Sequence, residues 1–271
     1  MYENIFTLSE RGVFMNRNDY NNNFYDNGSG YDDFRGVQSG GYSSVKDMSG
    51  ISMADFSRRV YSWMAAGLSI TFILGFVIQN VLLSDPFMLE QFFPVFIFSV
   101  ILEFIMVIAL GFFIYKLPST VSLILFLVYS VLNGVNIAPA LMLADADKAI
   151  WAFAATALLF GTFSIYGIVT KRDLTKLRPI LLIGLIVLIV FGILGMFFRM
   201  GAMDLIISLA GIAIFIGFTA YDTQKIKKGY EYFSSDEEML KRASINIALQ
   251  LYLDFINLFL YILRLFSRNS R

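Results

Sequence analysis

The sequence predicts an all-α membrane protein, a bundle of seven transmembrane helices. Of its 271 residues, 57% are hydrophobic and only 15% are charged, and the mean hydropathy is +0.67. Soluble domains do not have this balance. From Val60 onward, apolar runs recur, each close to the ~20 residues that a helix needs to cross ~30 Å of hydrocarbon.

Seven spans follow from these runs. They are predicted at 60–83, 93–115, 120–142, 149–170, 179–198, 204–221 and 246–266, within a transmembrane domain of residues 51–271. The seventh is the doubtful one, because Asp254 stands in its middle, where a carboxylate is expensive.

Residues 1–50 have a different composition. The stretch "NRNDYNNNFYDNGSGYDDFRG" is rich in Asn, Asp, Gly and Tyr and has almost no aliphatic residues. Such a segment buries too little apolar surface to offset its ordering entropy, so it is predicted to be a disordered cytoplasmic tail. It has no apolar region behind a basic start, so it is not a signal peptide. We expect an inert tail, although its tyrosines would also suit a partner or adhesion role.

The short connections predict the orientation, because cytoplasmic loops carry an excess of Lys and Arg. Arg58 and Arg59 precede the first span, "KRDLTKLR" follows the fourth, and five basic residues follow the sixth. This alternation places the N-terminus in the cytoplasm. A full seventh span would then export the basic residues Arg264, Arg268 and Arg271. Either the last segment is a helix enclosed by protein, or it does not fully cross.

Composition excludes several classes of function. The chain has no cysteine and no histidine, which rules out disulfides, Ser-His nucleophile pairs and histidine zinc helices. Any pH sensing would need carboxylates or lysines in perturbed environments. Lys plus Arg and Asp plus Glu are equal at 21 each, so no charge excess points to nucleic acid as a partner.

The last span carries one polar stripe. At 100° per residue, its six polar side chains fall within an arc of about 80°. They are Asn246, Gln250, Asp254, Asn257, Tyr261 and Arg264. A stripe on an otherwise apolar helix predicts an inward-facing polar side. The alternative, a surface helix with its stripe in water, usually has many basic residues, and this stripe has one.

The predicted partner of Asp254 is Asp222, in "GFTAYDTQKIKKGY" at the cytoplasmic end of the sixth span. Both helix ends lie on one side of the membrane, joined by a predicted loop over 222–245. The two carboxylates could therefore approach each other and titrate as a unit. Such a pair would give a histidine-free protein a proton switch.

A third intramembrane acid is Glu103, in "SVILEFIMV". Hydrogen bonding to a neighbouring helix and a role in an ion path are both open for it. Lys116 and Arg264 are candidate counter-ions, although Lys116 would also snorkel at the interface. Small residues four apart, in "TALLFG" and "AIFIG", predict close helix packing at Gly161 and Gly217.

Taken in order, these motifs resemble the Bax inhibitor-1 family, also called the transmembrane Bax inhibitor motif family. The matching stretches are "RRVYSWMAAGLSIT", "YSVLNGVNIAPAL", "AFAATALLFGTFSIYGIVTKRDLT", "GIAIFIGFTAYDTQKI" and "ALQLYLDFINLFLYILRLF". They cover most of residues 58–266, and the last three together are specific.

The resemblance implies a seven-helix bundle with a central C-terminal helix. It also implies a pH-sensitive calcium leak in a bacterial inner membrane, with a cell-death or stress-modulating role in eukaryotic members. Carried over residue by residue, the pH-sensing aspartates are Asp222 and Asp254, and the membrane glutamate is Glu103. Bacterial relatives also have an arginine that latches onto the aspartates; here "GFFIYKLPS" offers only Lys116.

The leading functional hypothesis is therefore a proton-gated cation leak rather than an enzyme. Carboxylate oxygens suit Ca²⁺, so Asp222 and Asp254 would be its weak, transient ligands, with Ca²⁺ as the permeant ion and no resident cofactor. The alternative is a membrane interaction protein that binds membrane proteases or death factors. An intramembrane aspartyl protease would also need two aspartates, but the G-x-G-D pattern of those enzymes is absent.

Overall fold

The computed structural model describes residues 51–113, 116–144, 146–197 and 203–268. The predicted tail 1–50 lies outside these ranges, as do Arg199, the single basic residue after the predicted fifth span, and Arg271. Over the described ranges the chain is helical and contains no strand. The helices are α1 (Met53–Ser84), α2 (Pro86–Phe113), α3 (Ser119–Leu143), α4 (Ala146–Val169), α5 (Arg178–Phe197), α6 (Met203–Phe233) and α7 (Glu237–Arg268), with a 3-10 turn at Leu174–Leu177 before α5.

All seven predicted spans are confirmed as helices that are long and apolar enough to cross a membrane. The doubtful seventh belongs to α7, which has 32 residues and a length of roughly 48 Å at 1.5 Å per residue. By length, α7 can cross the bilayer completely.

The predicted loop over 222–245 is wrong. Helix α6 continues to Phe233 and α7 begins at Glu237, so only residues 234–236 connect them. The prediction ended each helix where hydropathy falls, which is where the chain leaves the hydrocarbon. The helices continue beyond that point, because Lys, Gln and Glu are good helix formers. Asp236 starts α7, since its Oδ1 accepts a hydrogen bond of 3.0 Å from the backbone N–H of Met239.

Helix α7 is the centre of the bundle. It contacts α1, α3, α4 and α6, whereas α2 packs mainly on α3 and α5 mainly on α6. In its apolar segment 67% of residues are buried, against 44% for α3 and less in the other helices. The central C-terminal helix implied by the family resemblance is therefore confirmed, and enclosure by protein removes most of its surface from lipid.

Helices α4 and α6 approach closely at Gly167. A Cβ atom built there would lie 2.4 Å from the carbonyl oxygen of Ala220, a distance at which backbone must move. Of the two glycines expected to mediate close packing, Gly217 is confirmed, since a Cβ atom there would lie 2.7 Å from Leu181 of the peripheral helix α5. The expectation for Gly161 is wrong, because a Cβ atom there would have no neighbour within 4 Å. Spacing alone does not reveal which side of a helix meets a neighbour.

Gly167→Ala should lower the free energy of unfolding by about 1–3 kcal/mol, because the added methyl group overpacks a backbone contact. The matched control is Gly161→Ala, which adds the same methyl group to the same helix in open space. Thermal unfolding of both purified variants measures the difference. Equal melting temperatures would contradict the close approach.

The connection between α4 and α5 is fastened to α6. Lys228 Nζ lies 2.6 Å from Asp173 Oδ1, and Gln224 accepts a hydrogen bond of 3.0 Å from the backbone N–H of Leu174. The hydrogen bonds from Lys228 and Thr175 hold the pKa of the Asp173 carboxyl well below its usual range. Because the pKa of Asp173 is lowered in the folded state, the contribution of this ion pair to stability is complete above about pH 5 and is lost as pH falls toward the lowered pKa.

Asp173→Asn or Lys228→Met should therefore speed trypsin cleavage of this connection near neutral pH, since Lys171, Arg172 and Lys176 are trypsin sites held in place by the pair. Lys227→Met removes an exposed charge one residue away and is the control. Cleavage that is unchanged relative to this control would show that the pair does not order the connection.

Candidate ion and proton site

The polar stripe of α7 faces α6. Gln250 accepts a hydrogen bond from Lys225, the Tyr261 ring stacks on Phe215 at 5.9 Å between centroids, and Arg264 pairs with Asp204. Gly211 permits the contact at Tyr261, since a Cβ there would lie 2.6 Å from the ring. The stripe thus lies along one helix–helix interface.

The prediction that the stripe is the inward side of α7 is correct only in part. Asp254 is buried, but Asn246, Gln250, Asn257 and Tyr261 are half-buried and Arg264 is exposed. The apolar sides of α7 are at least as buried, because α1, α3 and α4 cover them. Because four helices surround α7, its apolar sides also face protein, and burial alone does not distinguish the polar side from them.

Asp222 and Asp254 meet across the α6–α7 interface. Their exposed fractions are 5% and 4%, and the two carboxyl groups lie close enough to act on each other directly. One oxygen of each, Asp222 Oδ1 and Asp254 Oδ2, is buried without a hydrogen bond from any described residue. The juxtaposition predicted from the sequence is therefore present in the structure.

The sequence reasoning missed Lys225 as the cation beside this pair. Its Nζ lies 2.6 Å from Asp222 Oδ1, in an ion pair without the angles of a directed hydrogen bond, and 4.5 Å from the centre of the Tyr221 ring. The signal is present in "YDTQK", because residues three apart on a helix are neighbours. In the prediction of orientation, Lys225 counts only as one of five basic residues after the sixth span.

The two predicted counter-ions lie elsewhere. Lys116 is exposed, with its ammonium 5.7 Å from the centre of the Phe113 ring, and the structure does not bring it to the aspartates. Arg264 pairs with Asp204 near the other end of α6, ten residues and roughly 15 Å along α7 from Asp254. It is a counter-ion, but for a carboxylate that the sequence reasoning did not single out.

Glu103 belongs to a separate polar cluster between α2 and α3. Its carboxylate accepts hydrogen bonds from Asn133 at 2.6 Å and from Asn136, and Ser99 donates to Asn136. The structure does not join Glu103 to Asp222 or Asp254. Of the two roles left open for it, hydrogen bonding to a neighbouring helix is the one that the geometry shows.

Hydroxyl groups fix the position of Asp222 from the other side. Tyr61 of α1 and Ser164 of α4 share a hydrogen bond of 2.8 Å, and Ser164 shares one of 2.9 Å with Thr223, the residue after Asp222. Together with the Gly167 contact, these bonds hold α6 against α4. Asp222 is thereby held on the side of α6 that faces α7.

The donor set fits a weakly bound cation better than a permanently held one. Within the described ranges, no three Asp or Glu residues gather closely enough to hold a metal ion. Two carboxylates and the Gln250 amide supply fewer oxygens than the six to eight of a closed Ca²⁺ site. An ion entering here would have to keep part of its water shell.

Comparison with known proteins agrees with this architecture. Residues 53–271 match the family described as "Inhibitor of apoptosis-promoting Bax1". The Escherichia coli inner membrane protein YbhL is 35% identical over 216 residues, which cover 78% of this chain and 91% of YbhL. Uncharacterized proteins are similar too: one of Borreliella burgdorferi is 34% identical, covering 77% of this chain and 90% of its own, and one of Deinococcus radiodurans is 35% identical, covering 84% and 99%.

Three findings lead to one assignment. The protein is a seven-helix membrane bundle around a central C-terminal helix, an aspartate pair lies between its last two helices, and the family match covers nearly all of the described residues. The chain is a multi-pass integral membrane protein that belongs to the Bax inhibitor-1 family.

Proposed function

We propose that this protein is a pH-sensitive cation leak, with Ca²⁺ as the permeant ion and the Asp222–Asp254 pair as the site where protons and cations compete. The observation that carries the proposal is the pair itself: two buried carboxyl groups that face each other, with no hydrogen bond to Asp254 Oδ2 from any described residue and only the Lys225 ammonium, at 2.6 Å, beside Asp222 Oδ1.

A shared proton is the simplest way to satisfy these oxygens. Ionised carboxylates are acceptors only, so two of them in contact have no donor between them, whereas one proton makes a hydrogen bond and removes a charge. A cation would serve the same purpose by neutralising both groups. Proton and cation therefore exclude each other, and acid should weaken cation entry.

Lys225 lowers the net negative charge that the aspartate pair presents to an entering cation. With both aspartates ionised, its ammonium reduces the local charge from two negative units to one, and its half-buried position keeps the attraction only partly screened. A site of this strength attracts a cation yet releases it, as permeation requires.

The basic ends of the helices support an orientation with the N-terminus in the cytoplasm. The similarity to YbhL, an inner membrane protein, supports the same location for this chain. The proposed role is transport without catalysis. A cell-death or stress-modulating role is a consequence we infer only from the family.

Ca²⁺ leak from proteoliposomes should fall as pH is lowered from 8 to 5, because protonation removes the charge that attracts the ion. Asp222→Asn and Asp254→Asn should each reduce the leak at pH 8 by about tenfold, the equivalent of ~1.4 kcal/mol, and flatten the pH dependence. Asp147→Asn, at an exposed position on α4, is the control and should behave as wild type.

Unchanged pH profiles in both aspartate variants would remove the pair from the mechanism. A wild-type protein that conducts no cation at any pH would instead favour the membrane interaction protein.

The proposal also predicts a cost in stability. Asp254→Asn should raise the melting temperature at pH 7.5, since the amide of Asn can donate to Asp222 where two carboxylates cannot. Asp254→Ala should lower the free energy of unfolding by about 1–3 kcal/mol, because it leaves a cavity beside the buried Asp222. If Asp254→Asn is more destabilising than Asp254→Ala, the two carboxyl groups do not repel each other in the folded protein, and the proposed cost in stability is wrong.

A further inference from the structure

At the basic end of the bundle, α1, α3 and α7 leave a cavity of about 310 Å³. Cationic side chains from two helices line it, Arg59 of α1 and Lys241 of α7, together with the hydroxyl groups of Ser119, Thr120 and Ser244. Trp63 and two aliphatic side chains form the rest of the wall. The cavity thus has a polar, positively charged part and an apolar part, which suits an amphiphile.

The acids near the cavity already have partners. Glu238 accepts hydrogen bonds of 3.1 and 3.2 Å from Ser119 and pairs with Arg242 at 3.3 Å. Glu237 pairs with Lys241 at 2.8 Å. Arg59 is half-buried, yet it makes no ion pair or hydrogen bond with any described residue, although it acts on Glu237 at longer range. Among the described residues, its guanidinium is the cationic group of the cavity that has no acid in direct contact.

An apolar stripe of α3 leads away from this cavity. Val121, Ile124, Val128 and Val131 are 40%, 55%, 43% and 43% exposed, and their spacing places them on one side of the helix. Such a side faces the acyl chains of the bilayer. The stripe begins next to Thr120, so the polar cavity lies where the acyl region ends.

We propose that this cavity binds the headgroup of an anionic phospholipid of the surrounding bilayer. Arg59 pairs with the phosphodiester, for which the two-pronged guanidinium is well suited, and the acyl chains lie along the α3 stripe. Basic pockets between transmembrane helices bind anionic headgroups. A zwitterionic headgroup brings its own cation toward Arg59 and Lys241 and is disfavoured. This inference does not depend on the proposed cation leak.

Trp63 allows a local test, since the chain has only two tryptophans. In the full-length Trp151→Phe protein, Trp63 fluorescence reports on lipid at the cavity. Vesicles of phosphatidylcholine contain brominated phosphatidylglycerol or, at the same mole fraction, brominated phosphatidylcholine. Brominated phosphatidylglycerol should quench Trp63 more strongly than brominated phosphatidylcholine does. Its binding constant relative to phosphatidylcholine should be higher by roughly fivefold, the effect expected of one arginine.

Arg59→Gln should abolish this preference, and Arg58→Gln, which changes the adjacent and exposed arginine, should retain it. Lys241→Gln should weaken the preference for phosphatidylglycerol, and this variant provides the test if Arg59→Gln fails to fold. Equal quenching by both lipids, an equal effect of the Arg58 and Arg59 substitutions, or no effect of Lys241→Gln would overturn the proposal. So would loss of the preference on adding inorganic phosphate, which would identify a free anion as the ligand.

Discussion

The contact between Asp222 and Asp254 is the constraint on which the bundle depends. In the protein interior, two ionised carboxyl groups in contact repel each other strongly, and each has lost most of its water. Only a rigid frame can hold them there. The frame consists of the close approach of α4 and α6 at Gly167, the hydroxyl contacts that end at Thr223, and Lys225 beside Asp222.

Other polar groups of α7 have partners on different neighbouring helices. The hydroxyl groups of Tyr252 and Thr71 of α1 lie 2.6 Å apart, and Arg264 meets Asp204 of α6. These contacts fix the rotation and depth of α7 among the helices around it. The aspartates differ because each has a group of like charge as its neighbour, and this difference is why the proposed proton and cation site is placed at their contact.

The two ends of the bundle differ in charge. The end containing the starts of α1, α3 and α7 carries most of the basic residues, some paired with acids of their own helix, whereas Arg59 has no ion-pair partner among the described residues. This absence of a direct partner is the reason for proposing an anionic headgroup at Arg59, whereas the pair of Lys228 with Asp173 fastens a connection between helices. Basic residues at this end are therefore not equivalent, and their role depends on whether an acid lies beside them.

The amino-acid sequence by itself determined the number of spans and the polar stripe on α7, because hydrophobic length and helical periodicity are local properties of the chain. It offered Asp222 only as a candidate partner for Asp254. The spacing in "YDTQK" contains the contact of Lys225 with Asp222, but the sequence could not place Asp204 at Arg264 or show that Glu103 bonds to Asn133. It also predicted too early an end for α6 and too late a start for α7. Only the tertiary structure decided these points, since which side of a helix meets which neighbour depends on how all seven helices pack together.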